Sequence, residues 1–352
     1  MPHETTLQPV AQAKPLAGAI SPKPKLLVLE LWAVGDLIIS TPFLRRASEH
    51  YDVTLVAKAF ALDLQPRFWP NVRVVPFKAP WTAFHFNRKY RLYSWPWRTL
   101  ASVIKRLRKE KFDLAVSARW DPRDHLLMNL TGARERAGFP RLGSGSWLTK
   151  PITPPDHASH RYEYWRTIGN AIGLDMPLRE QLNLGPTPGG RVVVVHSGAA
   201  QPVRIWPIPR FAGIVRRLRE AGYTVRVLSN PDNREEWLKA GETNVATPST
   251  IDSLLSLMTD ACAFIGNDSG PGHLAAFLGV PTFTLFGPMI PDWWAPLHPA
   301  SSWIDGKPCP YKPCSDTCRF ASPHCILGLG EAEVWDHIQA FLNRQSARSI
   351  AA

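Results

Sequence analysis

Apolar residues come in short blocks along this chain, and the blocks alternate between two periods. Lys25–Leu31, "KLLVLEL", is a dense apolar run with strand character. Asp36–Ala47 then switches to helical spacing, with Thr41-Pro42 marking a late start or a kink. Val53–Ala57, Val72–Val75 and Asp113–Ser117 predict three more strands, and a helix over Thr99–Arg108 precedes the last of them. The alternation restarts in the second half. Strands are expected at Arg191–Val195, Thr224–Ser229, Ala261–Ile265 and Thr282–Phe286. Helices are expected at Ile208–Ala221, Ile251–Thr259, Pro271–Leu278 and Glu331–Leu342. Strand and helix in alternation indicate parallel sheets with crossover helices. The break between halves falls at "GPTPGG", Gly185–Gly190, a Pro/Gly linker. Two α/β halves so joined enclose a cleft, and ligands favour such a place.

Composition adds bounds. The 352 residues are enough for two ordinary domains, and 45% hydrophobic residues support a core. No stretch approaches the ~18 apolar residues of a membrane span. The first 24 residues carry five prolines and no apolar block, so they read as a loose tail rather than a secretory signal. The cytoplasm, with reduced cysteines, is the expected compartment. A formal charge of +12 points to anionic partners.

The candidate chemistry sits where strands end. "GNDSGPGHLAAFLGVP", Gly266–Pro281, joins an apolar run to a short helix. Asp268 or Ser269 suits the helix cap, Pro271 its first turn and Gly279 its stop. Such a helix start, with Gly270 at it and His273 in the first turn, offers N–H groups and a positive dipole end to a phosphate. A capped buried helix without ligand is the alternative. A second exit, "HSGA", brings Ser197 and Gly198, with Arg204 shortly before Trp206-Pro207. Arg204 is either a phosphate contact or a surface arginine. Asp232, in "LSNPDNREEW", either accepts from ribose hydroxyls or shapes its turn. In the first half, "LWAVGDLIIS" places Asp36 after Gly35, as a base facing the cleft or as a helix cap.

"VGDLIISTPFLRRA", "HSGAAQPVRIWPIPRFAGIVRRL" and "GNDSGPGHLAAFLGVPTFTLFGP" together resemble glycosyltransferase family 9, the heptosyltransferases of lipopolysaccharide core assembly. The resemblance spans roughly residues 25–345. It implies a GT-B fold, two Rossmann-like domains facing across a cleft. Residues 25–184 would bind acceptor and residues 185–330 the nucleotide sugar. The helix over 331–352 would close the chain and could pack back on the N-terminal domain. It implies inverting transfer of a sugar, heptose from ADP-heptose in well-known members, onto a lipid-linked glycan. It assigns Asp36 as general base. It carries donor binding onto Ser197, Gly198, Arg204, Asp232, Asp268, Ser269, Gly270 and His273. Arg204 stands where the family has a lysine, Asp232 where it usually has a glutamate, and Gly272 where methionine is common. No cofactor is expected. The developing diphosphate charge is met by a helix N-terminus and an arginine, and no Asp-x-Asp cluster marks a magnesium site.

Two features stand apart. From Arg88 to Lys111 there are nine Lys/Arg and one acid, with Tyr90, Tyr93, Trp95 and Trp97 interleaved. Arg88, Lys89, Arg91, Trp95 and Trp97 are expected to meet the anionic acceptor or the inner membrane surface, giving a cytoplasmic, peripheral enzyme. A solvated helix face over buried tryptophans is the alternative. No nucleic-acid-binding motif accompanies the charge. Cys309, Cys314, Cys318 and Cys325 have four, three and six residues between them, not a paired C-x-x-C spacing, so zinc and family descent both account for them. Two rivals remain in view. A dehydrogenase would need G-x-G-x-x-G after the first strand, which "WAVGD" lacks. A non-catalytic lipid or nucleic-acid binder would need neither Asp36 nor the Asp268-Ser269-Gly270 turn.

Overall fold

Twelve strands form two six-stranded sheets in a computed structural model that describes residues 22–82, 95–314 and 317–351. The first holds β1 (Lys25–Leu29), β2 (Asp52–Ala57), β3 (Arg73–Pro76), β4 (Leu114–Ser117), β5 (Glu135–Gly138) and β6 (Lys150–Pro151) in the order 3-2-1-4-5-6. The second holds β7 (Val192–His196), β8 (Thr224–Leu228), β9 (Val245–Ala246), β10 (Ala263–Asn267), β11 (Thr282–Phe286) and β12 (Ser302–Asp305) in the order 12-11-10-7-8-9. Every pairing is parallel. The central strands β1, β10 and β11 are buried along nearly their whole length, which is why they read as continuous apolar runs. This is the GT-B arrangement of two Rossmann-like units. In each sheet the order reverses beside the first strand of the unit, β1 or β7, and ligand crevices open at such switch points.

The first predicted helix is two. Val34–Ile39 ends at Ser40, and Thr41–His50 restarts with Pro42 in its first turn. The predicted strands are all present with edges shifted by a residue or two. The short strands β5, β6, β9 and β12 and the helices Ala61–Phe68, Pro122–Leu130 and Arg161–Ala171 go beyond the predicted set. No helix or strand lies between Gln181 and Val192.

Among the described residues, the closing helix Glu331–Ala351 does not pack back on the N-terminal half. Val334, Ile338, Phe341 and Leu342 enter the core of the second sheet, where Phe341 meets Phe283 at 5.8 Å between ring centroids. The nearest apolar surface left open by β11 and the helix Ile208–Glu220 captures it first.

One core runs between the halves. Leu37 and Ile38 from the first share it with Leu254, Leu274 and Ala275 from the second. The closest approach uses two glycines. A Cβ on Gly270 would stand 2.1 Å from Val34 Cγ1, and one on Gly35 would stand 3.0 Å from the His273 ring.

Candidate active site

The second sheet delivers three loops to one place. At the end of β10, Asn267 is buried, and its amide holds two neighbours. Its Nδ2 donates to the Ser197 carbonyl at 2.7 Å, and its Oδ1 accepts from the Trp206 N–H at 3.1 Å. The β7 exit and the Trp206 loop are therefore fixed against the β10 exit by one side chain. Asp268 follows, buried, and accepts from Arg204 Nη1 at 3.2 Å. Burial pushes its carboxyl up, and Arg204 pulls it back. Ser269 takes the cap position of the helix Gly270–Phe277 without a capping hydrogen bond. Its Oγ is instead buried with no partner. Pro271 sits in the first turn and Gly279 follows the helix at φ 81°, both as expected.

These loops wall a cavity of about 320 Å³. Ser269, Gly270 and Pro271 form one side, His196, Gly198 and Ala199 another, and Ala33, Val34 and Gly35 from the first half close it. Gly198 lies under a tight neighbour, since a Cβ there would stand 2.8 Å from Asn230 Oδ1. Burial draws His196 and His273 down to about 4, so both rings are neutral near pH 7 and each carries one N–H.

Not every residue singled out above points into this cavity. The Ser197 hydroxyl turns into the core, where it accepts from Trp237 Nε1 at 2.9 Å and pairs with Ser229 Oγ at 3.2 Å. Asp232 is exposed in the turn Pro231–Asn233, and the cavity wall on that side is made by Ser229 and Asn230. His196 and Asn230 are site residues that motif reading passed over. A polar residue at a strand end or two positions past it was their only sequence signal.

Asp36 lies in the first turn of the helix Val34–Ile39, and its Oδ2 accepts from the Ala33 N–H at 3.2 Å. Its other oxygen pairs with Arg119, just past the end of β4. The Arg119 guanidinium also lies 5.0 Å from the Trp32 ring and 5.9 Å from Trp294, which comes from the second half. Arg161 packs beside it, against Tyr164, Trp120 and Trp294. Glu30, buried at the end of β1, faces both arginines. Burial pushes its carboxyl up and they oppose the rise. Two cations, two carboxylates and three indoles thus converge between the sheets beside Asp36. A chamber of about 520 Å³ opens on the first half from there, lined by Trp32, Arg119, Trp120, Asp121, Arg123, Arg141 and neighbours.

Arg88, Lys89 and Arg91 lie outside the described residues. Trp95 stacks between Trp81 and Trp97 at 5.5 and 5.3 Å, and Trp97 is exposed at the start of the basic helix Trp97–Lys109. Cys309, Cys314, Cys318 and Cys325 are free thiols. Burial and the neighbouring thiols of Cys309 and Cys318 push Cys314 up. Among the described residues no three His, Cys, Asp or Glu side chains are arranged to hold a metal ion. Cys262 is half-buried, and its N–H donates to the Val192 carbonyl at 2.8 Å. No described helix is long and apolar enough to cross a membrane.

Two facing Rossmann-like units, an anion-ready helix start on one and a carboxylate at the strand exit of the other, define a GT-B glycosyltransferase. The chain belongs to glycosyltransferase family 9 (heptosyltransferase), whose sequence pattern matches residues 100–322. It is 26% identical to lipopolysaccharide heptosyltransferase 1 of Pseudomonas aeruginosa, over 90% of this chain and 98% of that one. It is 23% identical to lipopolysaccharide heptosyltransferase 3 of Escherichia coli, over 74% and 83%. Among solved structures it is similar to the ADP-heptose heptosyltransferase II of E. coli (TM-score 0.67, 20% identity, 92% of this chain and 99% of that one). A family 9 glycosyltransferase of Veillonella parvula is also similar (TM-score 0.72, 18% identity, 93% and 100%).

Proposed function

We propose that the protein transfers heptose from ADP-heptose, with inversion, onto the inner core of a lipopolysaccharide. The carrying observation is the cavity between the halves, with the unpartnered Ser269 hydroxyl at a helix start on one wall and the turn Ala33–Gly35, which leads into Asp36, on the other. The diphosphate fits between the Gly198 loop and the start of the helix Gly270–Phe277, with the sugar directed toward Asp36. Asp36 takes the proton of the attacking hydroxyl, and Arg204 supplies charge to the phosphates through its place beside Asp268. The name heptosyltransferase in the relatives and the fold shared with an ADP-heptose enzyme support this donor. Another nucleotide sugar is the second reading, because Arg204 and Asp232 depart from the family pattern. The deciding experiment offers purified lipid acceptor with ADP-heptose and with UDP- and GDP-sugars. Product from a donor other than ADP-heptose alone replaces the first reading with the second. Product from none returns the protein to simple anion binding.

Ser269 gives a direct check on the donor site. Ser269→Leu fills the phosphate position with a branched side chain and is expected to weaken ADP binding at least ~10-fold by calorimetry, a loss of about 1.4 kcal/mol. Unchanged affinity would place the diphosphate elsewhere.

We assign the enzyme to the cytoplasmic face of the inner membrane through the basic aromatic segment around Arg88–Lys111. Neutralising Arg88, Lys89 and Arg91 together is expected to release the protein from anionic vesicles, by ~1 kcal/mol per charge. A triple variant that sediments like its parent makes the segment a solvated face.

A further inference from the structure

Asp124 is a carboxylate that the chemistry above leaves unused. It lies in the first turn of the helix Pro122–Leu130 and is fully buried. Its Oδ1 accepts from Trp81 Nε1 at 2.9 Å, and its Oδ2 accepts from Ser117 Oγ at 3.2 Å. Ser117 is the last residue of β4, and its Oγ in turn accepts from the Arg119 N–H at 3.2 Å. His125, next to Asp124, donates from Nε2 to the Arg119 carbonyl at 3.2 Å, and its Nδ1 accepts from Ser144 Oγ at 2.8 Å. The backbone of Arg119 is thus held at both its N–H and its C=O from one turn of helix, while its guanidinium pairs with Asp36. Burial pushes the Asp124 carboxyl up to about 7, Asp121 and Glu30 add to the rise, and the Trp81 and Ser117 hydrogen bonds oppose it. The cations that feel its charge are Arg119 and Arg123. Burial draws His125 down, which keeps that ring neutral. A carboxylate held only by an indole and a hydroxyl is costly to bury, and packing alone gives no reason to keep one here.

We propose that Asp124 is a positioning residue for the transfer: in its ionised form it fixes the Ser117–Arg119 turn, and through Arg119 it sets the orientation of Asp36. This deepens the function proposed above and rests on the role given there to Asp36. An ionised carboxylate only accepts, so the Ser117 proton points to Asp124 and a lone pair is left for the Arg119 N–H. A protonated Asp124 becomes a donor toward Ser117, whose own proton then loses its acceptor. Arg119 loses a facing negative charge in the same step. Turnover therefore falls as Asp124 gains its proton.

The test uses the full-length protein, ADP-heptose and purified lipid acceptor, with kcat followed from about pH 6 to 9. Asp124→Asn keeps the size and an acceptor for Trp81, so the fold survives, which the melting temperature checks. At the alkaline end its kcat is expected to lie ~10- to 10²-fold below the parent's, the scale of a misplaced reacting group, with ADP affinity unchanged by calorimetry. The two proteins should converge as the pH falls through the Asp124 titration near 7. Trp81→Phe removes a donor to the charged form, so the acid limb of its profile should move to higher pH. A second readout needs no substrate. The Trp81 indole N–H resonance, identified by its loss in Trp81→Phe, should shift with a midpoint near pH 7 in the parent and stay fixed in Asp124→Asn. A loss in Asp124→Asn that is the same at every pH is a packing effect and overturns the proposal. So does an acid limb unmoved in either variant, or a Trp81 resonance that does not titrate in the parent. A parent that transfers from no donor overturns the function on which the proposal rests, whatever the Trp81 resonance does.

Discussion

Asp36→Asn is expected to turn over about 10²–10⁴-fold more slowly than its parent, the usual cost of losing a general base. Donor affinity by calorimetry and the melting temperature should stay near the parent's. The carboxamide keeps the size and keeps an oxygen for the Ala33 N–H, so the helix start survives. With that single oxygen on the Ala33 N–H, the amide NH2 faces Arg119, so the charged pair is lost. What it lacks is a site to receive the proton. Proximity must supply much of the rate, because a carboxylate that shares its electron pairs with an arginine and a helix start is a modest base. Full turnover in the variant would leave Asp36 as a cap and an anchor for Arg119. Loss of folding would favour the same structural role.

Trp206→Ala is expected to cost about 3–5 kcal/mol of stability in denaturant unfolding, the range for emptying a large aromatic site in a core. Trp206 is fully buried, lies edge-on to Phe211 at 4.9 Å, and donates from Nε1 to the Leu329 carbonyl at 3.0 Å. Trp206→Phe should cost much less. Arg210 also reaches the Leu329 carbonyl, at 2.6 Å, so that oxygen keeps a donor. The alanine variant should lose ADP affinity too. The Trp206 N–H is bound by Asn267, and the loop it anchors carries Arg204 to Asp268. A stable Trp206→Ala protein would mean that the loop is held from elsewhere.

The two sheets were legible in the sequence because their central strands are buried on both faces and therefore apolar throughout. β6 and β9 are two residues long, and β5 (ERAG) and β12 (SWID) are four residues broken by charged or small residues, so they left no apolar run. Pro66 hides the helix Ala61–Phe68, as proline counts against a helix interior. The site was legible where backbone geometry restricts residue type. Gly35, Gly198 and Gly270 stand where a Cβ would meet another chain segment. It was not legible where side chains converge from distant elements. Nothing near Arg119 in the sequence tells of Asp36, 83 positions earlier, or of Trp294. Ser197 was read as a donor residue from its place in a small-residue turn, and nothing in the sequence showed that Trp237 and Ser229 hold its hydroxyl in the core.

The glycine contacts between the halves bear on how this enzyme could be re-engineered. Val34 and Gly35 fit against Gly270 and His273 with no room for an added methyl group. In the function proposed above, acceptor choice and donor choice would live on separate sheets, which invites chimeras that join the acceptor half of one transferase to the donor half of another. Here the junction that matters is not the Pro/Gly linker but this four-residue seam. A graft that brings a side chain larger than hydrogen to position 270 would collide with Val34, and one at position 35 would press on the His273 ring, at the seam beside the proposed donor cavity. Hybrids should therefore be chosen by matching the seam, and the linker can be cut wherever convenient.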